Sequence, residues 1–185
     1  MSTRYCLLLL LCAGCAEMFG IEPTTAPIDA KIDGPSAVWD SSVDARGCGG
    51  GDAHVADPVT GACYVFFATP MTRDAARATC LGLGTGVLLA SVQSAAENAT
   101  IASLIGTNIA FLGGNDEVVE GTFRWEDGSA VILTNWNTGE PNNGAGANEE
   151  DCIVMVGTLG GKWDDHPCAP PPVGSGSYAF VCERD

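Results

Sequence analysis

The sequence predicts an α+β fold, and three observations carry the prediction. The first half holds a β-prone run followed by two helical stretches, each opened by a capping signal. The second half breaks into short apolar runs separated by loops rich in Gly, Asn and Asp, the pattern of helices followed by strands. Nine cysteines, less Cys6, Cys12 and Cys15 of an N-terminal leader, leave six. An even number in an exported domain implies a disulfide framework, with the connectivity left open. At 185 residues one domain is expected, with length to spare for extras.

Residues 1–15, MSTRYCLLLLLCAGC, read as an export signal, with Arg4 as the charged start and an apolar run reaching Ala13. That run is too short to span a bilayer as a mature helix. Its end, Cys12-Ala13-Gly14-Cys15, resembles a bacterial lipoprotein cleavage box, with Cys15 as the residue that would carry the lipid and Cys12 where leucine is usual. The alternative is an ordinary secretory signal cut near Ala16. The expected location is therefore the outer membrane or cell surface as a lipoprotein, or otherwise the medium. In residues 16–47, Pro23, Pro27 and Pro35 stand among Thr, Ser, Ala and Asp. Such a segment cannot bury enough apolar surface to order itself, so it reads as a flexible tether. The domain is expected over residues 48–185.

Within the domain, Gly61 to Ala68 reads as a strand, with Tyr64 and the Phe66-Phe67 pair in a β-prone run. Thr72 caps a helix over RDAARATCL, with Asp74 in the first turn where the helix dipole favours an anion. Gly82, Gly84 and Gly86 end it. Val87 to Val92 is a short extended piece. Ser94-x-x-Glu97 is a capping box opening a second helix, whose apolar edge is Ile101, Leu104 and Ile105. Asn98-Ala99-Thr100 fits a glycosylation sequon but falls mid-helix, which argues against modification. Ile109 to Leu112 is a core strand. Thr122 to Trp125 and Ala130 to Leu133 form a hairpin across Glu126-Asp127-Gly128. Ile153 to Val156, Lys162-Trp163 and Tyr178 to Cys182 complete the sheet. Trp125, Trp136 and Trp163 are read as core and loop anchors rather than a binding platform.

The stretch from Asn135 to Cys168 carries the chemistry. Glu140, Asn142, Asn143, Glu149, Glu150, Asp151, Asp164 and Asp165 crowd into two short loops with almost no lysine or arginine. These side chains repel one another unless a cation sits among them or all of them face water. Oxygen-only ligands select a hard ion, and the mix of carboxylates and amides selects calcium over magnesium. The net charge of −15 argues against nucleic acid and against an anionic membrane surface as partners. Zinc is disfavoured, since the six remaining cysteines lack paired Cys-x-x-Cys spacing and His54 and His166 stand at no ligand spacing. No Gly-x-Ser-x-Gly or His-Glu-x-x-His motif is present, so no enzyme is expected.

At these residues the chain resembles the C-type lectin-like domain family. Glu140-Pro141-Asn142 matches its sugar-binding triplet, Glu150-Asp151-Cys152 its acidic pair before a cysteine, and Trp163-Asp164-Asp165 its Trp-Asn-Asp motif. Tyr178 to Glu183 matches the closing strand, and Ala110 to Gly121 the second strand with its acidic loop. The resemblance runs from Cys48 to Asp185. It implies the family's long form, two helices packed on short antiparallel sheets with a long disulfide-bridged calcium loop region. It also implies the pairs Cys48–Cys63, Cys80–Cys182 and Cys152–Cys168.

Carried over residue by residue, the resemblance implies a principal calcium site of Glu140, Asn142, Glu150, Asp164 and Asp165, with Pro141 cis. Glu140, Asn142, Glu150 and Asp164 would also meet the hydroxyls of a mannose-type sugar. Asp116, Glu120, Asn143 and Asp151, with Glu150, would form a second, weaker site; Asn143 stands where the two-ion members carry Asp. Asp164 stands where the family has Asn, and a carboxylate ligates calcium but cannot donate to a hydroxyl. The implied function is a surface-tethered, calcium-dependent carbohydrate-binding module for a carbohydrate or glycoconjugate. The alternative is a protein-interaction domain whose loops calcium only orders. A membrane enters only through the lipid anchor.

Overall fold

Cys63–Met71, the longest strand and the β-prone run of the sequence, anchors one side of the sheet in a computed structural model that describes residues 47–144, 149–168 and 176–185. The leader with Cys15, and the tether up to residue 46, lie outside the described residues. The elements in chain order are β1 (Ala53–Ala56), β2 (Cys63–Met71), α1 (Arg73–Gly82), β3 (Leu88–Leu89), α2 (Ala95–Ile105), β4 (Ile109–Asn115), β5 (Cys152–Val156), a 3-10 turn (Gly157–Leu159), β6 (Lys162–His166) and β7 (Tyr178–Arg184). Among the described residues no helix is long and apolar enough to cross a membrane.

Both helices start where their caps predict. The Thr72 hydroxyl accepts from the Ala75 N–H at 3.3 Å. The Ser94 hydroxyl accepts from the Glu97 N–H at 3.2 Å while Glu97 accepts from the Ser94 N–H at 3.1 Å, a complete capping box. Ile101 and Ile105 are buried beneath α2, and Leu104 lies at its half-buried edge. The Asn98 side chain is turned inward rather than open to modification. It is buried, its amide donates to the Gly161 carbonyl at 3.2 Å, and it accepts from the Trp163 indole at 2.8 Å. These bonds hold α2 against the start of β6. The close approach requires a glycine at 161: φ is +79°, and a Cβ there would lie 2.6 Å from the Ala102 methyl.

The strands form one seven-stranded sheet in the order β1-β2-β7-β4-β5-β6, with β3 also paired to β7. The expectation of short antiparallel sheets is corrected at one seam: β4 and β7 run parallel, with Ala110 opposite Ala179 and Phe111 opposite Phe180. These strands are far apart in the chain, so no hairpin dictates their direction. β5 explains why its sequence is apolar throughout. Ile153 and Met155 face one core cluster with Trp163 and Ile101, while Cys152, Val154 and Val156 face a second with Phe111 and Phe180. A strand covered on both faces has no polar side to show.

Three elements differ from their sequence reading. β1 was not expected, because AHVA lacks a β-branched run. It pairs with β2 from Ala53–Phe66 to Ala56–Cys63, across a turn in which the Asp57 carboxylate accepts from the N–H groups of Val59 and Thr60. Val87 to Val92 shortens to Leu88–Leu89. The hairpin at Glu126-Asp127-Gly128 keeps its turn, with the Gly128 N–H on the Trp125 carbonyl at 2.9 Å. Its arms share only one isolated bridge, Arg124 to Ala130, and a second bridge ties Arg124 to Asn115 at the end of β4. Trp125 and Trp163 are buried edge-on to each other at 5.8 Å, and Trp136 stands edge-on to Trp163 at 5.8 Å. They are anchors.

Disulfides Cys48–Cys63, Cys80–Cys182 and Cys152–Cys168 close the framework, the pairs that the resemblance implies. Cys80–Cys182 ties α1 to β7. Cys152–Cys168 ties β5 to the chain just past β6.

Candidate metal centre

Two carboxylate clusters form where loops return to the ends of β4, β5 and β6. The first is assembled around Trp163. Its N–H donates to the Asn135 carbonyl at 2.9 Å, and its carbonyl accepts from the Asn137 N–H at 2.8 Å. Those bonds lay residues 135–137 alongside β6. The chain then turns, with the Glu140 N–H on the Asn137 carbonyl at 3.1 Å, and passes through a cis Glu140-Pro141 bond. Glu140 thereby meets Asp164 and Asp165, each offering an oxygen within 4.8 Å of the others.

Asp165 is buried to 1% exposure and organises the backbone of this loop. Its carboxylate accepts from the Asn142 N–H at 3.0 Å on each oxygen and from the Asn143 N–H at 2.7 Å. Asn143 adopts a left-handed φ of 52°, which asparagine tolerates, and its side-chain oxygen accepts from the Glu150 N–H at 2.8 Å. The Asn142 amide nitrogen donates to Glu140, and its oxygen accepts from the Gly144 N–H at 2.7 Å. Partial burial, the adjacent Asp165 carboxylate and the charges of Asp164 and Asp165 together push Glu140 up to about 7. Glu150 is raised as well, by burial and by Asp165 and Asp164.

The second cluster joins Asp116, Glu120 and Asp151, again with oxygens within 4.8 Å of one another. Asn115 pairs with Cys152 at the end of the β4–β5 ladder, and the Asp116 N–H continues it to the Asp151 carbonyl at 3.1 Å. One Asp116 oxygen accepts from the Gly121 N–H at 2.7 Å. The other is buried with no hydrogen-bond partner. Burial first, then Glu120 and Asp151, hold Asp116 up at about 6. An orphaned buried carboxylate oxygen among like charges is an arrangement that a hard cation satisfies. Both donor sets consist of oxygen, so both fit calcium better than a softer metal.

The Lectin C-type domain family model matches residues 69–184, which span α1 to β7 and both clusters. The chain belongs to that family. It is 37% identical over 136 residues to an alpha-N-acetylgalactosamine-specific lectin of Patiria pectinifera, covering 66% of this chain and 74% of that one. The C-type carbohydrate-recognition domain of cow CD23, crystallised in the presence of a GlcNAc2Man3 oligosaccharide, superposes with a TM-score of 0.57 at 32% identity, over 66% of this chain and 87% of that one. A calcium-independent type II antifreeze protein superposes with a TM-score of 0.57 at 31% identity, over 71% and 95%. The family is one of non-enzymatic lectins and related proteins.

Within this C-type lectin domain, the residues expected at the principal site divide. Glu140, Asp164 and Asp165 converge, and Asn142 is bonded to Glu140. Glu150 stands outside that three-carboxylate group but within reach of its charge. Of the second set, Asp116, Glu120 and Asp151 converge, while the bonds of Asn143 run to Asp165 and Glu150. The sequence reading gave no role at the site to Tyr178 or His166. His166 lies 3.6 Å from Asp164 through Nε2 and 2.8 Å from the Tyr178 hydroxyl through Nδ1. The two-residue spacing from Asp164 on one strand was the available signal.

Proposed function

We propose that the domain is a calcium-dependent carbohydrate-binding module, with Glu140, Asn142, Glu150, Asp164 and Asp165 holding the principal ion. The reading is carried by the convergence of Glu140 with Asp164 and Asp165, from two segments more than twenty residues apart in the chain. Calcium accepts six to eight oxygens, and positions that the loops leave open are available to two adjacent sugar hydroxyls. Glu140-Pro141-Asn142 points to mannose-type sugars. The Patiria relative is named for N-acetylgalactosamine, so both sugar types belong in the test panel. Asp116, Glu120, Asn143 and Asp151 are proposed as the second, weaker calcium site.

The N-terminal sequence supports export and attachment at a cell surface through Cys15, with residues 16–47 as the tether.

A second reading, a protein-interaction domain in which calcium only orders the loops, is favoured by Asp164, which accepts hydrogen bonds but does not donate them when ionised. A glycan array probed in calcium and in EDTA decides between the two. Chelator-sensitive binding to mannose-type glycans supports the first reading. An empty array from calcium-loaded, folded protein overturns it and leaves the second.

A further inference from the structure

Read as a sugar site, the first cluster is rich in acceptors and short of donors. Glu140, Glu150, Asp164 and Asp165 only accept when ionised, and Asn142, which spends one amide proton on Glu140, has a single N–H left to donate. Calcium takes one lone pair of each of two adjacent hydroxyls and the carboxylates accept the protons, so a single N–H leaves one hydroxyl without a donor.

We propose that His166 supplies the missing donor: its Nε2–H, set by Tyr178, hydrogen-bonds to a hydroxyl of a carbohydrate held at Asp164. The inference rests on the carbohydrate reading above and assigns a contact within it.

Four observations support it. His166 follows Asp164 by two residues on β6, so both side chains leave the same face of the strand, and each is one-quarter exposed. The 3.6 Å from His166 Nε2 to the Asp164 carboxylate is beyond hydrogen-bond reach, so Asp164 does not consume that nitrogen. Nδ1 lies 2.8 Å from the Tyr178 hydroxyl; with the phenol donating, the ring proton belongs on Nε2. The ring is also held in place. It stands edge-on to Tyr178 at 5.1 Å, Tyr178 stands edge-on to Phe111 at 5.2 Å, and Cys152, opposite His166 in the ladder, is bonded to Cys168.

The test uses the calcium-loaded protein. Long-range proton–nitrogen spectra of the 15N-labelled domain should show the Nε2–H tautomer at His166; an Nδ1–H tautomer overturns the inference. Calorimetry with methyl α-mannoside and with N-acetylgalactosamine then compares wild type, His166→Phe, His166→Gln, and His166→Phe combined with Asp164→Asn. Calcium titration and melting of each variant serve as the check on folding. His166→Phe should weaken the bound sugar about three- to ten-fold, the worth of one net hydrogen bond. Glutamine, which keeps a donor at similar reach, should stay within about two-fold of wild type, and Asp164→Asn should recover the loss by placing an amide donor beside the ion. Wild-type affinity in folded His166→Phe, or no recovery in the double variant, overturns the inference alone. A wild type that binds calcium and neither sugar overturns the carbohydrate reading and this contact with it.

Discussion

Both carboxylate oxygens of buried Asp165 accept from the backbone N–H of Asn142, at 3.0 Å each, so a residue at the end of β6 sets the path of a loop 23 positions earlier. The same carboxylate reaches the Asn143 N–H and belongs to the first cluster. Loop shape and the proposed ion site therefore share one side chain.

Asp165→Ala and Asp165→Asn both remove the charge, but only asparagine keeps an acceptor for the two N–H groups. In EDTA, urea unfolding should find the alanine variant less stable than the asparagine variant by about 1–3 kcal/mol. Equal stabilities would mean that these bonds do not hold the loop.

Without metal, stability should fall as pH rises. Glu140 is raised from 4.5 to about 7 and Asp116 from 3.8 to about 6, so between those limits the folded state holds protons that the unfolded state has lost. Stability is then fullest below pH 4 and declines until both groups have ionised near neutrality. Calcium binds the ionised form, so millimolar calcium should raise the melting temperature most at neutral pH and least in acid. Melting curves at pH 5 and pH 7.5, each in EDTA and in calcium, check this. Superimposable curves at pH 7.5 would rule out calcium in either cluster.

The disulfides should differ in worth. Cys80–Cys182 separates its cysteines by 102 residues and Cys48–Cys63 by 15, which correspond to about 4.7 and about 3 kcal/mol in the chain-entropy account. Cys80→Ser with Cys182→Ser should therefore destabilise the domain more than Cys48→Ser with Cys63→Ser. Both lost pairs are judged by denaturant midpoint, and the reverse ranking would contradict the assignment of Cys80–Cys182 as the main staple.

Glu140→Gln with Asn142→Asp exchanges the charged and amide members of the triplet while keeping an oxygen on each. Calcium affinity should weaken only modestly. Mannose-type binding should be lost, and galactose-type binding is the expected gain. Calorimetry with mannose, fucose and galactose at saturating calcium measures it; unchanged mannose affinity would show that the triplet does not read the hydroxyls.

Lipidation at Cys15 predicts a mature chain that begins at that residue and partitions with membranes. Cys15→Ala should release or retain the protein in unlipidated form. Mass spectrometry of the mature N-terminus decides, and a free chain starting after Ala16 would favour an ordinary secretory signal.

Much of the domain was determined by the sequence itself. Thr72 and Ser94-x-x-Glu97 locate both helix starts because a cap is an interaction over three residues, complete within the segment that encodes it. The apolar run of β5 announces burial on both faces, and the acidic residues with Glu140-Pro141-Asn142 mark the candidate ion site. The tertiary structure decided what depends on segments distant in the chain. It set the parallel seam of β4 and β7, the recruitment of AHVA as β1, and the place of Glu150 outside both three-carboxylate groups. It also placed Tyr178 beside His166, two residues of no apparent relation in sequence. The reason is physical: strand direction, convergence of loops and the partner of an imidazole nitrogen are settled by long-range packing around Trp163 and Cys152–Cys168, which no local pattern specifies.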